Sequence, residues 1–186
     1  MIKIFSAHTT DFTQADYALQ YSLLDIALRE HIDRQKNTQD KTRSLAGYIL
    51  LYRAVYQLFG KEKFKIYFNE NGKPLCDFCY FNISHSDRCV VCAISDRPIG
   101  VDVQKIKGRS YREKYKFFND KENAYVNKID DLISLRYIEI FTKKESAVKM
   151  LGKTLSYASQ VDTFSNEFIF DTKFAKEYVI TICIKA

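Results

Sequence analysis

The sequence predicts an α+β fold made of two similar halves, and three observations carry that prediction. Long helical patterns stopped by glycine occur twice, at Gly60 and at Gly152, so that Leu58-Phe59-Gly60 lies over Met150-Leu151-Gly152 when the two are superposed. Two apolar runs of strand character also match in kind, Cys89-Val90-Val91-Cys92-Ala93-Ile94 and Tyr178-Val179-Ile180-Thr181-Ile182-Cys183. Between the halves, Arg97-Pro98 breaks the chain. The expected lobes are residues 1–98 and 99–186, joined near Pro98.

Residues 1–7 alternate apolar and polar side chains and read as an opening strand. Tyr17, Leu19, Leu23, Leu24, Ala27 and Leu28 are spaced for one helix over residues 16–31. A polar connector over 32–41 leads to a strong helix from about residue 42 to Phe59. Residues 64–68 look like a strand, and Asn69-Glu70-Asn71-Gly72 is a turn because Asn-Gly tolerates positive φ. Phe81-Asn82-Ile83 and residues 89–94 are expected strands around a polar tip, Ser84-His85-Ser86-Asp87, with the next strand at 99–103. A mixed basic helical region over 111–128 precedes a long helix over about 131–151, and strands at 167–170 and 178–184 complete the chain.

The chain has 186 residues, enough for one domain or two small lobes, and its 46% hydrophobic and 28% charged content is that of a water-soluble globular protein. No apolar run has the length of a membrane span and no signal-peptide pattern opens the chain, so cytoplasm is the expected location and no membrane role is expected. Five cysteines in such a chain are expected as free thiols. The net charge of +6 favours acidic partners or phosphorylated ligands. Lys105, Lys107, Arg109, Arg112, Lys114 and Lys116 concentrate that charge in twelve residues with one acid, Glu113, which suits either a solvated face or a docking surface for something acidic.

Candidate chemistry begins on the long C-terminal helix. Ile138, Phe141, Glu145 and Val148 share one side at helical spacing, so a carboxylate interrupts an apolar stripe, and Lys149 follows one turn later. An intrahelical ion pair is one reading of Glu145 and Lys149. In the strand 99–104, alternation puts Gly100, Asp102 and Gln104 on one face, which makes sense if that face meets a ligand or cation. Asp102 and Glu145 would then supply two hard oxygen ligands and the Gln104 amide oxygen a neutral third, a set that suits Mg²⁺. Ser84-His85-Ser86 and Lys73 offer hydroxyls, an imidazole and a cation to a phosphate, whereas a hydrolase triad lacks its nucleophile-elbow glycines. Cys76-x₂-Cys79 and Cys89-x₂-Cys92 have the form of a zinc site, but Val90-Val91 is extended, and residues three apart on a strand point to opposite faces.

Four segments, in order, resemble the 4′-phosphopantetheinyl transferases of the surfactin-synthetase-activating type. They are Gly72-Lys73-Pro74, Phe81-Asn82-Ile83-Ser84-His85-Ser86, Ile99-Gly100-Val101-Asp102-Val103, and Phe141-Thr142-Lys143-Lys144-Glu145-Ser146-Ala147-Val148-Lys149 with Gly152-Lys153. Arg43-Ser44-Leu45-Ala46-Gly47 and Phe117-Phe118 with Glu122 also match. The resemblance implies two lobes related by a pseudo-two-fold and packed as one unit, with coenzyme A and Mg²⁺ in the cleft between them, the N-terminal lobe on the nucleotide side and the C-terminal lobe on the metal and catalytic side. It implies transfer of phosphopantetheine to a serine of an acidic acyl or peptidyl carrier protein, with release of adenosine 3′,5′-bisphosphate. By match, Asp102 and Glu145 are Mg²⁺ ligands, with Gln104 where the family usually has a further acid. Lys149 stabilises phosphate charge, Glu145 or Glu122 helps deprotonate the serine, and Arg43, Ser44, Lys73, Ser84 and His85 line the coenzyme A site. A monomer without a nucleic-acid partner is expected, and the rival reading is a coenzyme A- or nucleotide-binding protein that has lost turnover.

Overall fold

The computed structural model describes residues 1–106, 116–129 and 132–186. Strand β1 (Ile2–His8) is followed by α1 (Gln14–Leu23), α2 (Ile26–Asp33) and α3 (Thr38–Phe59). A two-residue hairpin, β2 (Tyr67–Phe68) and β3 (Pro74–Leu75), leads to β4 (Tyr80–Ser86), β5 (Cys89–Ser95) and β6 (Ile99–Lys105). Helices α4 (Asp120–Val126) and α5 (Ile133–Leu151) precede a closing hairpin, β7 (Phe168–Ala175) and β8 (Tyr178–Lys185). This is the expected α+β composition.

Two three-stranded antiparallel sheets are formed, ordered β1-β5-β4 and β6-β8-β7. The two matched apolar runs are the central strands, β5 and β8, where both faces are covered and an apolar sequence is required. Val90, Cys92 and Ile94 pack with Leu51, Ala54 and Val55 of α3. From the opposite face of β5, Cys89, Val91 and Ala93 meet Ile99, Val101 and Val103 of β6 and Ile182 and Ile184 of β8. Cys183 on the remaining face packs with Ala147 and Val148 of α5, giving layers in the order helix, sheet, sheet, helix. Both long helices stop at a left-handed glycine, Gly60 at φ 64° and Gly152 at φ 65°.

Several elements differ from the sequence reading. The helix expected over 16–31 is two helices, broken at Leu24 and restarted by Asp25, whose carboxylate accepts from the Leu28 amide. Helix α3 begins earlier than expected because Asn37 caps it through the Asp40 amide. Ser84, His85 and Ser86 lie on β4 rather than on a loop; the turn is tighter, with Asp87 at φ 55°. Only Tyr67 and Phe68 of 64–68 are strand, and β7 runs on past Phe170 to Ala175. The two cysteines of β5 point to opposite sheet faces, Cys92 toward α3 and Cys89 toward β6, which breaks up a four-thiolate site. Asp131, the expected helix start, and residues 107–115 lie outside the described residues.

Two features fix the position of β6. At Gly100 an added Cβ would sit 1.9 Å from the Ser146 carbonyl oxygen and 2.6 Å from the Met150 nitrogen, so α5 lies directly on β6. The space expected to admit a ligand at Gly100 is taken by helix backbone. Along the free edge of β6, the amides of Val101, Val103 and Lys105 donate to the side chains of Asn82, Ser84 and Ser86 of β4. These bonds satisfy an edge that would otherwise be unpaired.

Candidate active site

Because α5 lies against β6 at Gly100, the next outward positions meet: Asp102 on the strand and Lys149 on the helix. Asp102 is buried at 1% exposure, and its Oδ1 accepts from Lys149 Nζ at 2.5 Å and from Ser84 Oγ at 2.8 Å. Lys149 Nζ also donates to Ser84 Oγ at 2.8 Å, and the Val103 amide donates to the same hydroxyl at 3.2 Å. The hydroxyl therefore gives its one proton to Asp102 and fills both acceptor positions from within the chain. Ser84 was expected to line a coenzyme A site; its hydroxyl instead orients the carboxylate and the lysine. Gln104, two residues along β6, donates its amide nitrogen to Asp102 Oδ2 at 3.1 Å. Glu145 is half-buried one turn before Lys149 on α5.

His85 is on the other face of β4, near α3. Burial, and then the cations of Lys149 and Arg43, hold its imidazole below the ordinary value of 6.5. Arg43 pairs with Asp40 one turn earlier and lines a polar concavity of about 300 Å³ with Thr38, Thr42, Asp87 and Arg88. Ser44 follows it on α3, half-buried. Lys73 is drawn elsewhere: its amine donates to the Met150 carbonyl at 3.0 Å, and burial lowers its pKa to about 8. Asn69 and Asn71, from the same turn, donate to the Gly152 carbonyl, so this turn caps the end of α5.

Glu122 does not join the cluster. It is fully buried; Oε1 accepts from the Thr163 amide and hydroxyl, and Oε2 from the Asn119 amide and from Lys144 Nζ at 2.9 Å. A base must reach the proton it removes, and this carboxylate is sealed from solvent with both oxygens engaged. The expectation that Glu122 deprotonates a carrier serine is corrected: it anchors α4. Its partner Lys144, 1% exposed, spends its remaining protons on the carbonyls of Ala158 and Val161. Sequence reading missed this lysine, although a second lysine inside a buried helical face was a signal.

Among the described residues, no three His, Cys, Asp or Glu side chains cluster as a metal site. The oxygen donors to which the sequence points are the carboxylates of Asp102 and Glu145 and the Gln104 amide. These fit a hard divalent cation of the Mg²⁺ kind, which takes one or two carboxylates and completes its shell with phosphate and water. No helix among the described residues is long and apolar enough to cross a membrane.

Residues 98–183, which carry Asp102, Gln104, Glu145 and Lys149, match the model of the 4′-phosphopantetheinyl transferase superfamily. The C-terminal half of the chain is thus similar to that superfamily, and its curated relatives carry the same name. It is 38% identical over 124 residues to 4′-phosphopantetheinyl transferase gsp of Aneurinibacillus migulanus, covering 64% of this chain and 52% of the relative. It is 35% identical over 144 residues to 4′-phosphopantetheinyl transferase Sfp of Bacillus subtilis (strain 168), covering 74% and 63%. The chain thus spans between about half and just under two thirds of the length of these two relatives.

Proposed function

We propose that this chain transfers the 4′-phosphopantetheine group of coenzyme A to a serine of an apo carrier protein, releasing adenosine 3′,5′-bisphosphate. The observation that carries this reading is the meeting of Lys149, Asp102 and Ser84 where β4, β6 and α5 converge. Phosphoryl transfer is catalysed chiefly by positioning and by neutralising negative charge. Lys149, with two partners inside the chain and 28% of its side chain exposed, is placed to donate to phosphate oxygens. Asp102, Glu145 and Gln104 would hold Mg²⁺, which supplies charge neutralisation at the pyrophosphate. With Glu122 sealed, Glu145 is left to take the serine proton, directly or through water. Arg43, Ser44 and His85 form the nucleotide side, His85 toward the 3′-phosphate; Lys73 instead braces the end of α5. On this reading residues 1–98 form the nucleotide half and 99–186 the metal half of one monomeric unit working in the cytoplasm.

The carrier would be acidic, matched to the chain's charge of +6. Of the basic run, Lys105 is already paired with Asp87 at 2.7 Å and Glu177 at 3.6 Å, while Lys107, Arg109, Arg112 and Lys114 lie outside the described residues. The test is to incubate the protein with coenzyme A, Mg²⁺ and a panel of apo carriers and weigh each carrier. A gain of one phosphopantetheine is expected. Coenzyme A binding without mass gain on any carrier would replace this reading with a binding protein that has lost turnover.

A further inference from the structure

Cys76 and Cys79 stand apart from the other three cysteines. They flank Asp77-Phe78 in the short link between β3 and β4, and their sulfurs are 3.5 Å apart, with no disulfide between them. Cys79 is half-buried, Cys76 sits at the margin of the α3 core, and Asp77 between them lines the rim of a cavity of about 990 Å³. Hydrogen bonding from the Cys79 thiol, aided by the backbone at Phe78 and Cys79, lowers the Cys76 thiol to about 6, while Cys79 is raised. Burial acts the opposite way elsewhere, pushing Cys89 up to about 11 and Cys183 up to about 12, and raising Cys92 as well. The chain therefore presents one pair of thiols within reach of each other, against three buried cysteines whose thiols burial holds protonated.

We propose that Cys76 and Cys79 form a peroxide-reactive dithiol site, Cys76 as the attacking sulfur and Cys79 as the resolving one. The Cys76 thiolate attacks one oxygen of hydrogen peroxide, the O–O bond breaks, and hydroxide leaves and takes a proton to become water. Cys76 is then a sulfenic acid. Cys79 sulfur attacks the Cys76 sulfur, the S–O bond breaks, and the departing hydroxyl takes the Cys79 proton as a second water. Two thiols and one peroxide become one disulfide and two waters. Closing the gap asks little of the chain, because the sulfurs already face each other. The product would tie the end of β3, just after the turn that caps α5, to the start of β4.

The test treats the whole protein with hydrogen peroxide at pH 7, quenches with an alkylating reagent, and maps every cysteine by mass. Loss of two hydrogens from the peptide that holds both cysteines is expected at a rate at least about tenfold above oxidation of Cys89, Cys92 or Cys183, with full reversal by dithiothreitol. Cys79→Ser should stop at the sulfenic acid, trapped on position 76 by dimedone, and Cys76→Ser should leave Cys79 unoxidised. Oxidation of the pair no faster than of the buried three, or Cys79 oxidation unchanged in Cys76→Ser, would overturn the proposal. The wild-type rates decide it even if a variant folds poorly.

Discussion

Helix α5 carries two lysines five positions apart, each paired with a buried carboxylate, and the two pairs differ in what they leave over. Lys144 and Glu122 are both at or below 1% exposure, and every polar atom between them is matched by carbonyls, amides or a hydroxyl. Lys149 and Asp102 make an ion pair as short, but the lysine reaches the surface and its partner Asp102 is shared with Gln104 and Ser84. The first pair is closed and can only hold the fold. The second is open on the lysine side and can exchange partners when an anion or a cation arrives. Charge and burial of the carboxylate are alike in both; saturation of the cation separates structure from chemistry.

The comparison breaks most visibly if the wrong pair proves essential for turnover. Asp102→Asn and Glu145→Gln should each lower transfer by roughly 10²–10³-fold or more, read as carrier mass gain, while the urea midpoint moves little. Near-normal turnover of both at saturating Mg²⁺ would remove them as ligands. Glu122→Gln should do the reverse. It strands Lys144 in the core, so unfolding free energy should fall by about 3–5 kcal/mol, measured in urea, with turnover per folded molecule largely kept.

A sharper cut tests orientation rather than charge. Ser84→Ala deletes the hydroxyl that holds Asp102 and Lys149 together and should cost about 10–100-fold in transfer, with near-native circular dichroism; an unchanged rate would make the hydroxyl a bystander. Smaller again is the nucleotide side. If His85 meets a 3′-phosphate, dephospho-coenzyme A should bind about 1.5–3 kcal/mol more weakly than coenzyme A. Burial keeps the free imidazole neutral at pH 7, so its contribution to stability is present above the unfolded value of 6.5 and is lost as pH falls through the lowered folded value. A phosphate beside it raises that value, so the preference for coenzyme A should grow as pH drops from about 8 to about 6. Calorimetry showing equal affinities at both ends would take the 3′-phosphate out of the account. Least in size is Gln104→Glu, which should tighten Mg²⁺ binding to the free protein by restoring one charge while transfer persists.

Much of this could be read from residue order alone. The glycine stops at Gly60 and Gly152 and the two central strands declare themselves through local rules, a positive φ and an unbroken apolar run, while Asp102 stands out by sharing a strand face with Gly100 and Gln104. What escaped is what depends on a distant partner. Nothing local announces that Ser84 spends its hydroxyl on Asp102 eighteen positions away, or that Glu122 is closed by Lys144 and Thr163. The break between α1 and α2 escaped because the spacing of Leu23, Leu24 and Leu28 suits one helix as well as two, and the Asp25 cap decides it.

The bonds between β4 and the free edge of β6 have a consequence for behaviour in a crowded solution. A strand edge that shows alternate amides invites a strand from another molecule, and the end state of that invitation is insoluble aggregate. Here Asn82, Ser84 and Ser86 occupy those amides with side chains, which offer no further edge of their own. Replacing all three by alanine would leave the edge of β6 bare, and we expect such a chain to precipitate at concentrations where the native one stays clear. The residues that orient the site would then also be the ones that keep copies of the protein apart.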